Sequence, residues 1–204
     1  MNRYRSRTVV ITGATGGIGK ATFTRLYTEG ASLVASGRNE KSLNRLTSNL
    51  DPNRIAAIPG DLTDPTTPRD IAEIANERFG RIDGLVNCAG IASEGQLLGD
   101  DFWKDWAATL AVNLEATVRL TQAILPCLRN THGAITNISS LSGLRADRGM
   151  VAYSTSKGAL NTFTQALALD EAENGVRVNS VCPSYTTTSL TVRGHDVVDS
   201  GRCQ

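Results

Sequence analysis

The chain has 204 residues, a formal net charge of +1, 40% hydrophobic residues and 5% aromatic residues. That length suits one domain with a substantial core, and near-neutral charge gives no general pull towards nucleic acid or an acidic surface. No apolar run approaches the ~20 residues of a membrane span, so neither nucleic acid nor membrane is an expected partner. Arg3, Arg5 and Arg7 read as a solvated start, with no signal-peptide pattern behind them. Cys88, Cys127, Cys182 and Cys203 are far apart and lack metal-ligand spacing. Reduced, buried thiols in a cytoplasmic protein are expected, and no metal site.

Thr8 to Ile11 is a β-branched run and predicts a strand. Gly13, Gly17 and Gly19 follow at once in the spacing TGxxxGxG, and Lys20 to Glu29 then predicts a helix closed by Gly30. Strand, glycine turn and helix form a context in which backbone N–H groups and a helix N-terminus can receive a pyrophosphate. A second strand, Ala31 to Ser36, ends at Gly37-Arg38-Asn39-Glu40. In a dinucleotide fold an acid at this point receives a ribose 2′-OH, whereas an arginine accommodates a 2′-phosphate. Arg38 therefore favours NADP(H) over NAD(H), with Glu40 left as a residue that could partly serve a ribose.

Residues 41–49 predict a helix, and Arg54 to Ile58 a third strand ending at Gly60-Asp61-Leu62. Asp61 lies where its carboxylate could accept from an adenine amine. Asp64 is better placed than Asp61 to cap the next helix, Ile71 to Phe79. Ile82 to Val86 is a fourth strand, ending Asn87-Cys88-Ala89-Gly90, whose small residues suit close backbone approach to a ligand. Asp101 to Leu128 predicts two helices or one bent one, with Trp103 and Trp106 packing in the core or in a lid. Asn113 sits inside it, where an amide competes for backbone bonds and more often satisfies a buried carbonyl.

Ala134 to Ile138 predicts a fifth strand that delivers Ser140, and a helix then carries Tyr153 and, four residues on, Lys157. That spacing puts phenol and ammonium on one helix face. A nearby cation favours the phenolate, which a phenol with an ordinary pKa of about 10 needs for proton transfer near neutrality. Val176 to Val181 is a sixth strand. Alternating strands and helices give an α/β fold, a doubly wound, Rossmann-type parallel sheet in three layers. Every residue singled out except Asn113 falls at or just after a strand's carboxyl end, where such folds bind ligands.

In motif order the chain resembles the short-chain dehydrogenase/reductase family: TGATGGIG at 12–19, Asp61-Leu62, NCAG at 87–90, Asn113, Ser140, YSTSK at 153–157 and Asn179-Ser-Val-Cys-Pro183. The resemblance implies hydride exchange between a nicotinamide cofactor and a ketone or secondary alcohol. Tyr153 would be the general acid and base, with Lys157 lowering its pKa and holding the nicotinamide ribose. Ser140, rather than the adjacent Ser139, would bond the substrate oxygen, and Asn113 would place a relay water. Cofactor contacts are implied for Gly13, Thr15, Gly17, Ile18 and Gly19 in the turn, and for Arg38, Asp61 and Leu62 at the adenosine. Ala89 and Gly90 are implied near the cofactor, Asn87 both as a cofactor contact and as a brace of the central sheet, Pro183 as a further cofactor contact, and Val181 and Thr188 near the nicotinamide carboxamide.

The chain departs from the family pattern at Pro183-Ser184, where the family has Pro-Gly. From Tyr185 on, the sequence carries no pattern for the family's last helix and seventh strand. The expected division is a catalytic domain over 1–183 and an irregular polar tail over 184–204. Strand six would then be an edge, and the family's usual tetramer, which uses the missing elements, is not expected, although another homo-oligomer stays open. The alternative reading is a catalytically weak or inactive member that binds nucleotide or a partner protein.

Overall fold

Runs such as Thr8-Val-Val-Ile and Ala134-Ile-Thr-Asn-Ile lack a helical period and are rich in β-branched side chains, and each becomes a strand. The structure, a computed structural model, describes residues 2–188. Among these residues β1 (Thr8–Thr12), β2 (Ser32–Gly37), β3 (Ile55–Pro59), β4 (Gly84–Asn87), β5 (Ala134–Ile138) and β6 (Arg177–Val181) form one sheet. The order is β3-β2-β1-β4-β5-β6 and all neighbouring pairs are parallel. The order reverses between β1 and β4, which opens a crevice at their carboxyl ends.

The helices are α1 (Gly17–Thr28), α2 (Glu40–Thr47), α3 (Thr67–Phe79), α4 (Phe102–Leu110), α5 (Ala116–Thr131) and α6 (Val151–Asp170). Strand alternation divides the core into two layers. Val9 and Ile11 turn to one face and pack with Phe23, Leu26 and Leu43 of α1 and α2. Val10 turns to the other, with Ile71 of α3 and Leu120, Ile124 and Leu128 of α5. On that second face Asn137 Nδ2 donates to Thr164 Oγ1 (2.9 Å), which ties α6 to β5. On the α1 face, Thr136 and Ile138 are half-buried, and Asn179 and Val181 of the edge strand β6 are exposed.

Three local expectations are corrected. Arg3 and Arg7 are not merely solvated. Arg3 forms a two-point pair with Glu29 at the end of α1 (2.6 Å each), and Arg7 binds Asp83 at 2.6 Å, so the N-terminal arm is fastened to the sheet. Asp64 is not the helix cap: its Oδ1 accepts from Thr66 N–H and Oγ, bracing the turn ahead of α3, whose N-cap is Thr66. Trp103 is 74% exposed and outside the core, set edge-on against Phe102 and Trp106, and it is Phe102 that enters the core.

The expected bent helix is continuous from α4 through Ala111–Glu115 into α5, with the middle stretch wound as π-helix. Ser184 to Thr188 adopt neither helix nor strand. The rest of the expected tail, residues 189–204, with Cys203, lies outside the described residues.

Candidate active site

One cleft of about 1220 Å³ runs along the carboxyl ends of the strands. At its first end lies the turn between β1 and α1. Gly13 has φ +60°, and a Cβ there would fall 2.9 Å from the backbone of Ala89, so the turn needs glycine on both counts. Helix α1 opens at Gly16 with no side-chain cap. Backbone donors of its first turn are therefore offered to the cleft, which Thr15, Gly17, Ile18 and Gly19 line. This uncapped N-terminus fits an anionic group, as the spacing predicts.

Arg38 follows β2, is exposed and lines the same end of the cleft; Glu40 begins α2 and does not. Asn39 is occupied as the cap of α2, accepting from Ser42 N–H. Asp61 and Leu62 face Arg38 across this end. Hydrogen bonds from Thr63 hold the Asp61 carboxyl below its usual range, and the Arg38 charge adds to the effect. Thr63 takes Oδ1, so the other carboxylate oxygen is the one available to a ligand. The cleft carries a carboxylate at the β3 end and a guanidinium at the β2 end.

Behind the middle of the cleft, Thr12 Oγ1 accepts from the N–H groups of Cys88 and Ala89, fixing the β4 loop that brings Ala89 and Gly90 to the cleft wall. Asn87 does not line it. Its amide donates to Asn137 (2.8 Å) and Thr121 (3.3 Å), a brace between strands and α5 as implied, not a ligand contact. Asn113 is fully buried in the π segment. Its amide clasps Ile91, accepting from N–H and donating to C=O at 2.9 Å each, and donates a second time to Ser156 Oγ. The residue reading of Asn113 as a partner for buried backbone is what the geometry shows. A Cβ on Gly90 would sit 3.3 Å from Asn113 Oδ1 and 3.5 Å from Lys157 Nζ, so the Gly90 loop rests on both groups, Lys157 at the cleft and Asn113 behind its wall.

Ser140, Tyr153 and Lys157 converge on the other end of the cleft. The serine segment is held on both sides. Ser139 N–H donates to Val181 O and Leu141 N–H to Pro183 O, while Ser139 Oγ donates to Lys157 O. A Cβ on Gly143 would lie 2.6 Å from the Lys157 carbonyl carbon, so glycine lets this turn rest on the α6 backbone. Ser139 thus faces the helix and Ser140 the phenol, in line with the thirteen-residue spacing.

Lys157 is almost fully buried, and its ammonium donates to Ile138 O at 2.9 Å. Burial pushes it down to about 8, against a smaller opposite effect of the Cys88 and Cys182 thiols. Burial also raises the Tyr153 phenol above its ordinary value; a hydrogen bond with Ser140 acts against this and the Asp147 charge adds to it. The expectation that Lys157 lowers the phenol is therefore not met in this structure. Its Nζ sits 5.9 Å from the ring centroid, committed to the nearest carbonyl, because a buried ammonium needs a partner. Pro183 and Thr188 line the cleft too, and a Cβ on Gly17 would meet Thr188 Cγ2 at 2.5 Å, so this segment crosses the glycine turn. Val181 is exposed and is not part of the lining.

Sequence reading missed several lining residues: Glu94 and Gln96 after β4, Asp147 and Arg148 before α6, and Tyr185. They belong to loops without periodicity. The one usable signal was their position after the strand ends. Among the described residues no cluster of His, Cys, Asp and Glu could hold a metal, and no helix is long and apolar enough to cross a membrane.

Comparison with known proteins fits this geometry. The family model for short chain dehydrogenase matches residues 7–196. The chain is 36% identical over 189 residues to the meso-2,3-butanediol dehydrogenase of Serratia marcescens, covering 93% of this chain and 75% of that one. It is 34% identical over 193 residues to an uncharacterized oxidoreductase of Staphylococcus aureus (strain USA300), covering 94% and 83%. A short-chain dehydrogenase/reductase of unknown function from Caenorhabditis elegans, solved with cofactor, superposes with TM-score 0.86 at 32% identity over 93% of this chain and 73% of that one. A glucose/ribitol dehydrogenase of the same family from Brucella melitensis gives TM-score 0.87 at 33% identity, covering 93% and 77%. The matched motifs, the parallel sheet and the shared cleft lead to one conclusion: the chain belongs to the short-chain dehydrogenase/reductase family of oxidoreductases.

Proposed function

We propose that this protein transfers a hydride between NADP(H) and a ketone or secondary alcohol, with Tyr153 as general acid and base. The observation that carries the proposal is the single cleft joining an uncapped helix N-terminus to buried Ser140 and Lys157 and half-buried Tyr153. The nicotinamide, when bound, supplies the hydride chemistry. The chain's own residues bind, orient and move the proton.

Gly13, Thr15, Gly17, Ile18 and Gly19 would receive the pyrophosphate on backbone donors. Arg38 would hold the 2′-phosphate, and it favours NADP(H) because no carboxylate lines the cleft at the end of β2 to repel that group. Asp61 and Leu62 would face the adenine, Ala89 and Gly90 the middle of the cofactor, and Pro183 and Thr188 the carboxamide. Lys157 would turn from Ile138 O to a ribose hydroxyl, and from there its charge would lower the phenol. Tyr153 O–H would give its proton to the carbonyl oxygen in reduction and take one back in oxidation, with Ser140 bonding the same oxygen. Asn113 would hold a relay water with the oxygen lone pair that Ile91 leaves spare.

The butanediol and glucose/ribitol dehydrogenases among its relatives support a small secondary alcohol as substrate. No observation favours a protein without turnover, since the reactive side chains line the cofactor cleft. The test is NADPH consumption with a panel of small ketones, 3-hydroxybutan-2-one first, for the native chain and Tyr153→Phe. Turnover that the variant loses supports the proposal; equal turnover in both overturns it.

A further inference from the structure

Lys157 joins α6 to the carboxyl end of β5 by two hydrogen bonds. Its ammonium donates to Ile138 O at 2.9 Å. Its own carbonyl accepts from Ser139 Oγ at 3.1 Å. Neighbouring residues of one strand end therefore hold the lysine by its side chain and by its backbone. Ser139 and Lys157 are both 4% exposed. A serine hydroxyl has one proton, and Ser139 spends it on this carbonyl. On its other side the same segment is bonded to the exit of β6, through Ser139 N–H to Val181 O (2.8 Å) and Leu141 N–H to Pro183 O (2.9 Å). The stretch that carries Ser140 is thus pinned between β6 and α6.

The two Lys157 bonds are not equivalent in the proposed reaction. The ammonium can serve a ribose hydroxyl only by giving up Ile138 O. The Ser139 bond uses the Lys157 backbone and stays in place when the side chain turns. It is the one of the pair that remains when Ser140 and Tyr153 must face the same substrate oxygen. Gly143 supports this arrangement. A Cβ there would lie 2.6 Å from the Lys157 carbonyl carbon, so the turn after Ser140 rests on the same peptide that Ser139 binds.

We propose that Ser139 is a positioning residue. Its hydroxyl, through the Lys157 carbonyl, keeps Ser140 in register with the Tyr153 helix after the Lys157 ammonium has left Ile138 O for the cofactor. This rests on the proposed roles of Ser140, Tyr153 and Lys157. The consequence is that the Ser139 hydroxyl is redundant in the resting protein and needed in the loaded one.

The experiment has two arms. The first needs neither cofactor nor turnover. Amide hydrogen exchange of residues 139–143 is followed in the native chain, Ser139→Ala, Lys157→Met and the double variant. Methionine removes the ammonium, and with it the Ile138 bond, while keeping an apolar chain of similar length. Ser139→Ala alone is expected to exchange within about twofold of the native rate, because the ammonium still ties the segment. In the Lys157→Met background the same change is expected to speed exchange about fivefold, the worth of roughly one hydrogen bond. Equal acceleration in both backgrounds, or none in either, overturns the proposal.

The second arm follows reduction of 3-hydroxybutan-2-one by NADPH. Ser139→Ala is expected to lower kcat about fivefold with the KM for NADPH unchanged. Ser139→Thr keeps the hydroxyl on a strand end that suits a β-branched residue, and is expected to restore kcat. In the Ser140→Ala background the Ser139 change is expected to cost nothing further, because it acts through Ser140. Full additivity of the two changes overturns the proposal. The predicted exchange pattern in a chain without turnover would uphold the Ser139 tie and overturn hydride transfer, so the two readings fail separately.

Discussion

Tyr153 can move a proton only if its environment decides when it holds one. Burial raises the Tyr153 phenol against the effect of Ser140, the Asp147 charge adds a little, and Lys157 faces Ile138 O instead of opposing them. Cofactor binding is the event that would turn Lys157 around. Tyr153→Phe removes only the hydroxyl, so turnover is expected to fall by about 100-fold or more with cofactor affinity unchanged. Steady-state kinetics together with a binding titration checks both halves. Arg38 is tested separately. Charge-assisted bonds to a 2′-phosphate are strong, so Arg38→Ala is expected to weaken NADPH binding on the order of 10- to 100-fold and to leave NADH binding nearly unchanged. Equal losses for both cofactors would show that Arg38 does not read the phosphate.

At the scale of elements, Asn113 shows why an unfavourable helix residue is kept. Its buried amide supplies both partners of the Ile91 peptide and so holds the β4 loop against the helices beside Lys157. Asn113→Ala leaves those groups unpaired and is expected to cost about 2–4 kcal/mol in a denaturant titration. The arm ahead of β1 is joined to α1 by ion pairs that have a pH signature. Hydrogen bonds from Arg3 and Arg25 lower the Glu29 carboxyl from 4.5 to about 2. A carboxylate lowered in the folded state contributes stability that is complete above 4.5 and is lost as pH falls towards 2. Glu29→Gln is therefore expected to flatten the decline of thermal midpoint in that window, and an unchanged decline would place the acid sensitivity elsewhere.

The strands were legible because apolar, β-branched runs carry their own signal; β5 falls at Ala134–Ile138 as read. The ends of helices were less so, since α1 and α3 begin three and four residues before their apolar periodicity shows, at Gly17 and Thr67. The π winding at Ala111–Glu115 has no compositional mark, because it arises from how Asn113 is held by Ile91 and Ser156. Long-range pairs were invisible for the same kind of reason. Arg7 finds Asp83 across 76 positions, which nothing local in either segment announces.

The whole molecule is a parallel sheet whose reversal between β1 and β4 gathers distant residues into one cleft. Most of that cleft could be read from sequence, because its residues follow strand ends. Asn87 was placed in it by the resemblance and belongs instead to the brace behind it. Asp147 escaped notice because a loop carboxylate six positions before a tyrosine carries no pattern until the loop is folded against Ser142.

The central claim is that this cleft is an NADP(H) site feeding Tyr153, and calorimetric titration of the purified chain with NADPH and with NADH tests it most directly. The expected result is binding of both, with NADPH tighter by at least about tenfold. Binding of neither cofactor to a chain shown to be folded would contradict the account.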